Sequence, residues 1–227
     1  MCFSATACFT AGAILVPAGL YSLNKAYQGD RRFLGFAAFP LFFGLQQIIE
    51  GGLWLALEGW ADISVATAAL GFLFFAYFLW PFYVPLAALL VENNASRRRI
   101  FLAFCVIGFV FGTSLYLPLL LTESWISVQM AGGSILYQPK LIYDDFVSRT
   151  AVRVFYAIIV AIPLLFSSVK TVRYFGVLIF LSVVFSAVYF AYAFVSIWCF
   201  FAAILSAYVL YVIHRESYPP LRAHNTC

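Results

Sequence analysis

Long apolar stretches alternate with short polar segments along most of the chain. Each stretch approaches or exceeds the ~20 residues that a helix needs to cross the hydrocarbon core of a bilayer. The seven stretches are residues 4–24, 33–57, 62–91, 98–121, 150–168, 173–193 and 195–214. We therefore predict an all-α membrane protein, in which residues 1–215 form a single domain, a seven-transmembrane-helix bundle. Residues 216–227 are predicted to form a cytoplasmic tail.

The basic residues occupy alternate connections between these stretches. Ten of the 13 Lys and Arg residues lie in the first, third and fifth connections and in the tail: Lys25, Arg31, Arg32, Arg97, Arg98, Arg99, Lys170, Arg173, Arg215 and Arg222. Because cytoplasmic loops are enriched in Lys and Arg, the N-terminus is predicted outside and the C-terminus inside. The first helix is expected to be retained, since its uncharged start does not match a signal peptide.

The fourth connection, residues 122–149, is longer than the others and is predicted to lie outside. Residues 125–130 and 135–138 are rich in β-prone side chains, and Gly132 and Gly133 lie between them. This pattern predicts a β-hairpin. The hairpin would either form a lid over an outward-facing pocket or lie against the helix ends.

The second apolar stretch carries polar side chains. Gln46, Glu50 and Trp54 are four residues apart and Gln47 is three residues before Glu50, so all share one helix face. Glu50 lies about eight residues, or roughly 12 Å, from the outer end of the stretch. A charge at this depth costs at least ~3 kcal/mol unless it is paired, protonated or hydrated, so Glu50 marks a candidate functional site.

Arg153 is the predicted partner of Glu50. It lies at the outer start of the fifth stretch, on one stripe with Arg149 and Tyr156. We predict that Glu50 and Arg153 face the same interior space and pair directly, through water or through a ligand; a purely structural buried pair is the alternative. Aromatic side chains at the same level form either an interfacial belt or a pocket wall. These are Tyr116, Tyr189, Tyr192 and Trp198.

Composition supports a membrane protein and argues against several functions. The chain is 65% hydrophobic and only 10% charged, whereas a typical soluble domain has ~25% charged residues. The net charge of +4 lies mostly in short loops, so nucleic-acid binding is not indicated. Both histidines, His214 and His224, fall at the cytoplasmic end, which argues against an intramembrane haem or a His-rich metal site. We therefore predict no metal and no cofactor.

Small residues predict where helices pack closely. Gly108 and Gly112 form a GxxxG pair, and Ser182 and Ser186 repeat that spacing. Ser196, Cys199, Ala203 and Ser206 share one face of the seventh stretch and are interpreted as a packing seam. Pro81 and Pro85 are predicted to kink the third stretch. The five scattered cysteines contain no CxxC pair and are predicted to be packing residues rather than a disulfide framework or a zinc site.

Four segments resemble a bacterial family of uncharacterised integral membrane proteins. They are residues 1–7 (MCFSATA), residues 44–51 (GLQQIIEG), the pairs Ser167-Ser168 and Val172-Arg173, and residues 194–199 (FVSIWC) with Ala202-Ala203. The resemblance implies a multi-pass protein of the bacterial inner membrane and supplies no activity. It also draws attention to Cys2, which could approach Cys199 as a thiol pair or a soft-metal site.

Three functions fit these observations. The first is a binding or transport protein for a small molecule or a lipid, with an outward-facing polar pocket. The second is a membrane-embedded enzyme that uses Glu50 as a general acid or base, and the third is a structural or assembly subunit. Apart from the lipid bilayer and such a ligand, no partner is indicated. The predicted ligand-binding residues are Gln46, Gln47, Glu50, Trp54, Tyr116, Arg153 and Trp198.

Overall fold

The protein is almost entirely helical in a computed structural model that describes residues 4–189 and 194–217. The helices are α1 (Ala5–Gln28), α2 (Leu34–Ala37), α3 (Phe39–Leu57), α4 (Val65–Leu73), α5 (Trp80–Val91), α6 (Ala95–Leu121), α7 (Arg149–Leu165), α8 (Lys170–Tyr189) and α9 (Phe194–Ser217). Between α6 and α7 lie two strands, β1 (Val128–Ala131) and β2 (Ser134–Tyr137). The predictions of a helical protein and of a hairpin in the fourth connection are confirmed.

Six helical segments of the described chain are long and apolar enough to cross a membrane. They are Ala5–Gln28, Arg31–Leu57, Val65–Val91, Ala95–Leu121, Lys170–Tyr189 and Ile197–His214. Each lies within or overlaps one predicted apolar stretch. The remaining stretch forms α7, which is shorter, with 17 residues. Residues 190–193, where the sixth and seventh predicted stretches meet, and the tail from residue 218 lie outside the described residues.

Polar side chains fix where several helices begin. In each case a side-chain oxygen accepts a hydrogen bond from the backbone N–H three residues later, which satisfies a donor that the helix itself leaves open. The capping residues are Ser4, Ser64, Asn94 and Ser148. Ser4 accepts from Ala7 at 3.2 Å. The hydroxyl in the opening motif MCFSATA therefore has a local structural role.

The segment from Val65 to Val91 is interrupted by a π-helical turn, Phe74–Leu79, between α4 and α5. Pro81 follows this turn, and proline has no N–H to donate to the helical hydrogen-bond ladder. A π-turn is one of the ways in which a helix accommodates such a gap. Kinks were predicted at Pro81 and Pro85; the irregularity of this segment is the π-turn just before Pro81, and Pro85 lies inside α5. Within the turn, the Ala76 carbonyl accepts a hydrogen bond from the Tyr156 hydroxyl at 2.6 Å.

Gly108 and Gly112 bring α6 into close contact with the region around this π-turn. A Cβ atom at position 108 would lie 2.7 Å from the carbonyl carbon of Pro81. A Cβ atom at position 112 would lie 3.0 Å from the carbonyl oxygen of Phe78. Such spacing leaves no room for a side chain, so the GxxxG pair forms a close helix contact as predicted.

The small residues of α8 and α9 are also buried. Ser182 and Ser186 are buried in α8, and Cys199, Ala203 and Ser206 are buried in α9. The Ser206 hydroxyl donates to the Ala203 carbonyl at 2.6 Å within its own helix. The interpretation of this α9 face as a packing seam is consistent with the burial of its described side chains.

The hairpin is held by a two-residue turn and packs against the helices. Gly132 and Gly133 have φ angles of +57° and +70°, which suit the type I′ turns that favour glycine. In β2, Ile135 is fully buried and the Tyr137 ring stacks on Phe72 of α4 at 4.5 Å. One strand of the hairpin therefore lies inside the helical bundle rather than above it.

At the opposite end of the bundle, Glu92 joins two connections. Its carboxylate accepts hydrogen bonds from the backbone N–H groups of Asn94, at 2.9 Å, and Ser168, at 2.7 Å. Desolvation by burial opposes ionisation, but hydrogen bonds from Ser168, Asn94 and Asn93 outweigh it and lower the pKa of Glu92. A charged Glu92 thus ties the α5–α6 connection to the α7–α8 connection.

Candidate functional site

The polar residues of α3 lie in the interior of the bundle. The side chains of Gln46, Gln47 and Glu50 are fully buried, with exposed fractions of 0%. Spacings of three and four residues place them on the helix face that packs inward. Glu50 therefore faces the interior and not lipid, which is the orientation that its predicted role requires.

Gln46 links three helices. Its Oε1 atom accepts a hydrogen bond from the Trp80 indole N–H at 2.9 Å, and its Nε2 atom donates to the Cys199 sulfur at 3.4 Å. Both polar ends of the amide are thus satisfied, one by α5 and the other by α9. These two hydrogen bonds fix the relative positions of α3, α5 and α9 around the site.

The Glu50 side chain lies between the α3 backbone and the hairpin. The Gln47 amide donates to its Oε2 atom at 3.4 Å. From the hairpin, the Tyr137 hydroxyl approaches the carboxylate, and Cys199 of α9 lies close enough to experience the charge of Glu50. Burial, followed by the negative charge of Glu50, raises the pKa of Tyr137 well above its ordinary value. The Tyr137 hydroxyl and the Glu50 carboxylate thus interact directly.

A cavity lies on the other side of Tyr137 and Cys199, and we call it the outer cavity. It encloses about 620 Å³ of empty space, part of it open to solvent. Among its lining residues are Tyr77, Tyr137, Arg149, Arg153, Tyr156 and Trp198. The predicted stripe of Arg149, Arg153 and Tyr156 on α7 thus faces one space, which Trp198 also lines.

Tyr137 and Cys199 form a layer that interacts with Glu50, and both also line the outer cavity together with Arg153. The two ion pairs between described residues are Asp30–Arg32 and Asp144–Arg149, and neither is the predicted Glu50–Arg153 pair. The Arg153 guanidinium instead lies over the Phe194 ring, 5.4 Å from its centroid. Glu50 and Arg153 approach a common region of the interior without a direct ion pair between them.

The wall of the outer cavity includes a buried donor without a partner. The Trp198 indole N–H forms no hydrogen bond with the part of the chain that the structure describes. Trp198 is only 7% exposed. Since buried polar groups in folded proteins are nearly always hydrogen-bonded, each such donor needs an explanation.

A second cavity, which we call the inner cavity, comprises about 370 Å³ of empty space, part of it open to solvent. Its walls are apolar and largely aromatic, and include Phe39, Phe43, Trp80, Leu164, Phe175 and Ile179. Trp198 and Cys199 line both cavities. These two residues of α9 therefore form the partition between a polar space and an apolar one.

Other aromatic residues that the sequence pointed to lie elsewhere. Trp54 belongs to the apolar cluster beneath the hairpin. Tyr116 packs its ring against Phe74 and Phe78, and neither Trp54 nor Tyr116 lines the two cavities. Tyr189 is 67% exposed, as an interfacial belt residue would be. Tyr192 lies outside the described residues.

Sequence reasoning did not include Tyr137 or Cys199 in the predicted site. Tyr137 ends a strand whose residues alternate poorly between polar and apolar, so the sequence carries no signal that its side chain is buried. The sequence placed Cys199 in a family motif, in a packing seam and opposite Cys2, but not beside Glu50. Its position against Gln46 adds a thiol to the site.

The cysteines differ from expectation at one position. Cys8 is disulfide-bonded, whereas Cys105 and Cys199 are free. The prediction that the cysteines serve only for packing is therefore wrong for Cys8, because scattered spacing in sequence does not exclude proximity in the fold. Cys2 and Cys227 lie outside the described residues. Among the described residues, no three His, Cys, Asp or Glu side chains are grouped to hold a metal ion.

Comparison with known proteins identifies the family but no activity. No curated protein and no solved structure matches the chain significantly. A family model, described as a family of unknown function (DUF6629), matches residues 1–224. Because this match spans nearly the whole sequence, the chain belongs to DUF6629.

Proposed function

We propose that this protein binds a small molecule or a lipid within the membrane, in the outer cavity between the hairpin and α7. The observation that carries this proposal is a partly open cavity lined by Arg153 and by Trp198, whose buried indole N–H has no partner among the described residues. A ligand with hydrogen-bond acceptors would satisfy this donor. In this proposal Glu50 and Gln46 hold Tyr137 and Cys199 in place from the side opposite to the ligand.

The proposal includes a topology and a location. The chain crosses the bacterial inner membrane seven times, with the N-terminus outside and α7 as the fifth crossing. At ~1.5 Å per residue the α7 helix spans roughly 26 Å, close to the ~30 Å of the hydrocarbon core. The distribution of basic residues supports this orientation, and the cavity then opens near the outer surface.

An enzyme is a second candidate, and one observation favours it. Tyr137 and Cys199 both lie close enough to Glu50 to interact electrostatically with its carboxylate. A carboxyl group beside a hydroxyl and a thiol is an arrangement suited to proton transfer. In this case the bound molecule would be a substrate, and Glu50 would act as a general acid or base.

A pair of valines on one helix provides a test of the binding proposal. Val152 lines the outer cavity, whereas Val154 on the same helix is 53% exposed. We expect Val152→Trp to fill the cavity and Val154→Trp to leave it open. Wild type and both variants would be purified in a mild detergent, and bound compounds would be extracted and quantified by mass spectrometry.

The expected result is a compound that is enriched with wild type and with Val154→Trp but is lost from Val152→Trp. Size-exclusion chromatography and circular dichroism would establish that both variants are folded. Equal compound profiles for wild type and folded Val152→Trp would refute binding in this cavity.

A further inference from the structure

The lining of the outer cavity has a positive character. Two arginines, Arg149 and Arg153, line it, and no described lining residue is acidic. Asp144 pairs with Arg149 at 2.6 Å. Arg153 is held over the Phe194 ring, which positions its guanidinium beside the cavity. Arginine recognises carboxylates and phosphates through charge-assisted hydrogen bonds.

A buried donor adds direction to this charge. The Trp198 indole N–H can donate a hydrogen bond, and no described residue accepts it. A ligand group that faces Arg153 and Trp198 is therefore expected to carry a negative charge and more than one acceptor. Carboxylates and phosphates have these properties, whereas a neutral alcohol has neither the charge nor the number of acceptors.

The inner cavity has the opposite chemistry. None of its described lining residues is charged, and its walls are mainly phenylalanine, tryptophan and aliphatic side chains. Water gains few hydrogen bonds in such a space, so an alkyl or isoprenoid chain would be accommodated there in preference to a polar group.

Trp198 lines both cavities. Its indole packs edge-to-face on Tyr156 at 5.2 Å and stacks on Phe194 at 5.7 Å. Because its N–H has no described hydrogen-bond partner, rotation of the ring would break ring contacts but no such bond. A small movement of this side chain would join the polar and apolar spaces.

We infer that the two cavities form one site for an amphiphile with an anionic head, a carboxylate or a phosphate, and an apolar chain. The head lies near Arg153, Tyr137 and Trp198 in the outer cavity, and the chain passes Trp198 into the inner cavity. This inference rests on the proposed binding function and specifies the ligand class.

The test compares heads and chains on the intact protein. The thermal unfolding temperature (Tm) of the detergent-solubilised protein would be measured with dodecanoate, dodecyl phosphate, dodecanol, acetate and inorganic phosphate at one concentration. A ligand that binds the folded state raises Tm. We expect dodecanoate, dodecyl phosphate or both to raise Tm, and dodecanol, acetate and inorganic phosphate to have little effect.

Two charge variants separate site binding from effects on the detergent micelle. Arg153→Gln removes the proposed head contact, whereas Arg99→Gln removes an equal charge in an exposed part of α6. Loss of one charge-assisted contact is expected to weaken binding of the anionic probes about tenfold in Arg153→Gln. Arg99→Gln should bind like wild type.

The inference is overturned if dodecanol raises Tm as much as the anionic probes, if no anionic probe raises it, or if the two arginine variants respond alike. The binding proposal fails by a different result, namely equal compound profiles for wild type and Val152→Trp. An extracted compound without an anionic group would leave the binding proposal intact and refute this inference.

Discussion

Replacing Gly108 by alanine should destabilise the bundle, although alanine is the better helix former. The Cβ atom would overlap the carbonyl group of Pro81, lying 2.7 Å from its carbon. Backbone atoms cannot rotate away as a side chain can, so α6 must separate from Pro81. Gly52→Ala is the matched control, since a Cβ at that helical position has nothing within 4 Å.

The magnitude follows from overpacking. Inserting a methyl group into a close-packed contact costs about 1–3 kcal/mol, and a change of 1 kcal/mol shifts Tm by about 2–4 °C in a protein of this size. We expect Gly108→Ala to lower Tm by at least about 3 °C in detergent. Gly52→Ala should leave Tm unchanged or raise it slightly, because alanine restricts the unfolded chain.

Thermal unfolding followed by tryptophan fluorescence would compare the two variants under identical conditions. Equal Tm values for Gly108→Ala and Gly52→Ala would show that the contact between α6 and Pro81 is looser than the structure has it. In that case α6 would not be packed tightly against the π-turn before Pro81.

Three further predictions address other parts of the molecule. Hydrogen bonds lower the pKa of Glu92 from its ordinary 4.5, so the stabilisation that ionised Glu92 gives the protein is present above pH 4.5 and is lost as the pH falls below it. The Tm difference between wild type and Glu92→Gln should therefore shrink in a titration from pH 7 to below 4.5. Gly132→Ala should cost about 1–2 kcal/mol, since φ is +57° there, and Gly132→Asn clearly less, as measured by Tm. Gln46→Leu should cost about 1–3 kcal/mol by leaving the Trp80 N–H buried without a partner, and a double-mutant cycle with Trp80→Phe should show that the two costs are not additive.

The helices and the acid at the centre of the site were predictable because both depend on local sequence. A run of apolar residues long enough to cross a bilayer produces a helix wherever it occurs, and an acid in such a run must lie inside the bundle. Glu50 and the two glutamines before it are buried for this reason. The hairpin was also predictable, since two adjacent glycines between β-prone segments define a turn.

Features that depend on which helix faces which were not predictable in the same way. Tyr116 and Trp198 are aromatic residues at a similar predicted depth, yet Trp198 lines both cavities and Tyr116 packs against Phe74 and Phe78. Depth follows from position in the stretch, whereas rotation about the helix axis is set by neighbouring helices. The burial of Tyr137 likewise depends on contacts with residues distant in sequence, among them Phe72.

The distribution of satisfied and unsatisfied polar groups connects the fold to the proposed function. On the α3 side of the partition, Gln46 has a partner for each end of its amide, and Glu50 receives the Gln47 amide. On the cavity side, the Trp198 indole N–H is buried but is not used by the described residues. A buried donor without a partner costs free energy. The hydrogen bonds missing on the cavity side are therefore best explained if a bound molecule supplies them. A ligand that approaches from the side of Arg153 would do so, and for this reason we place the ligand in front of the Tyr137–Cys199 layer and Glu50 behind it.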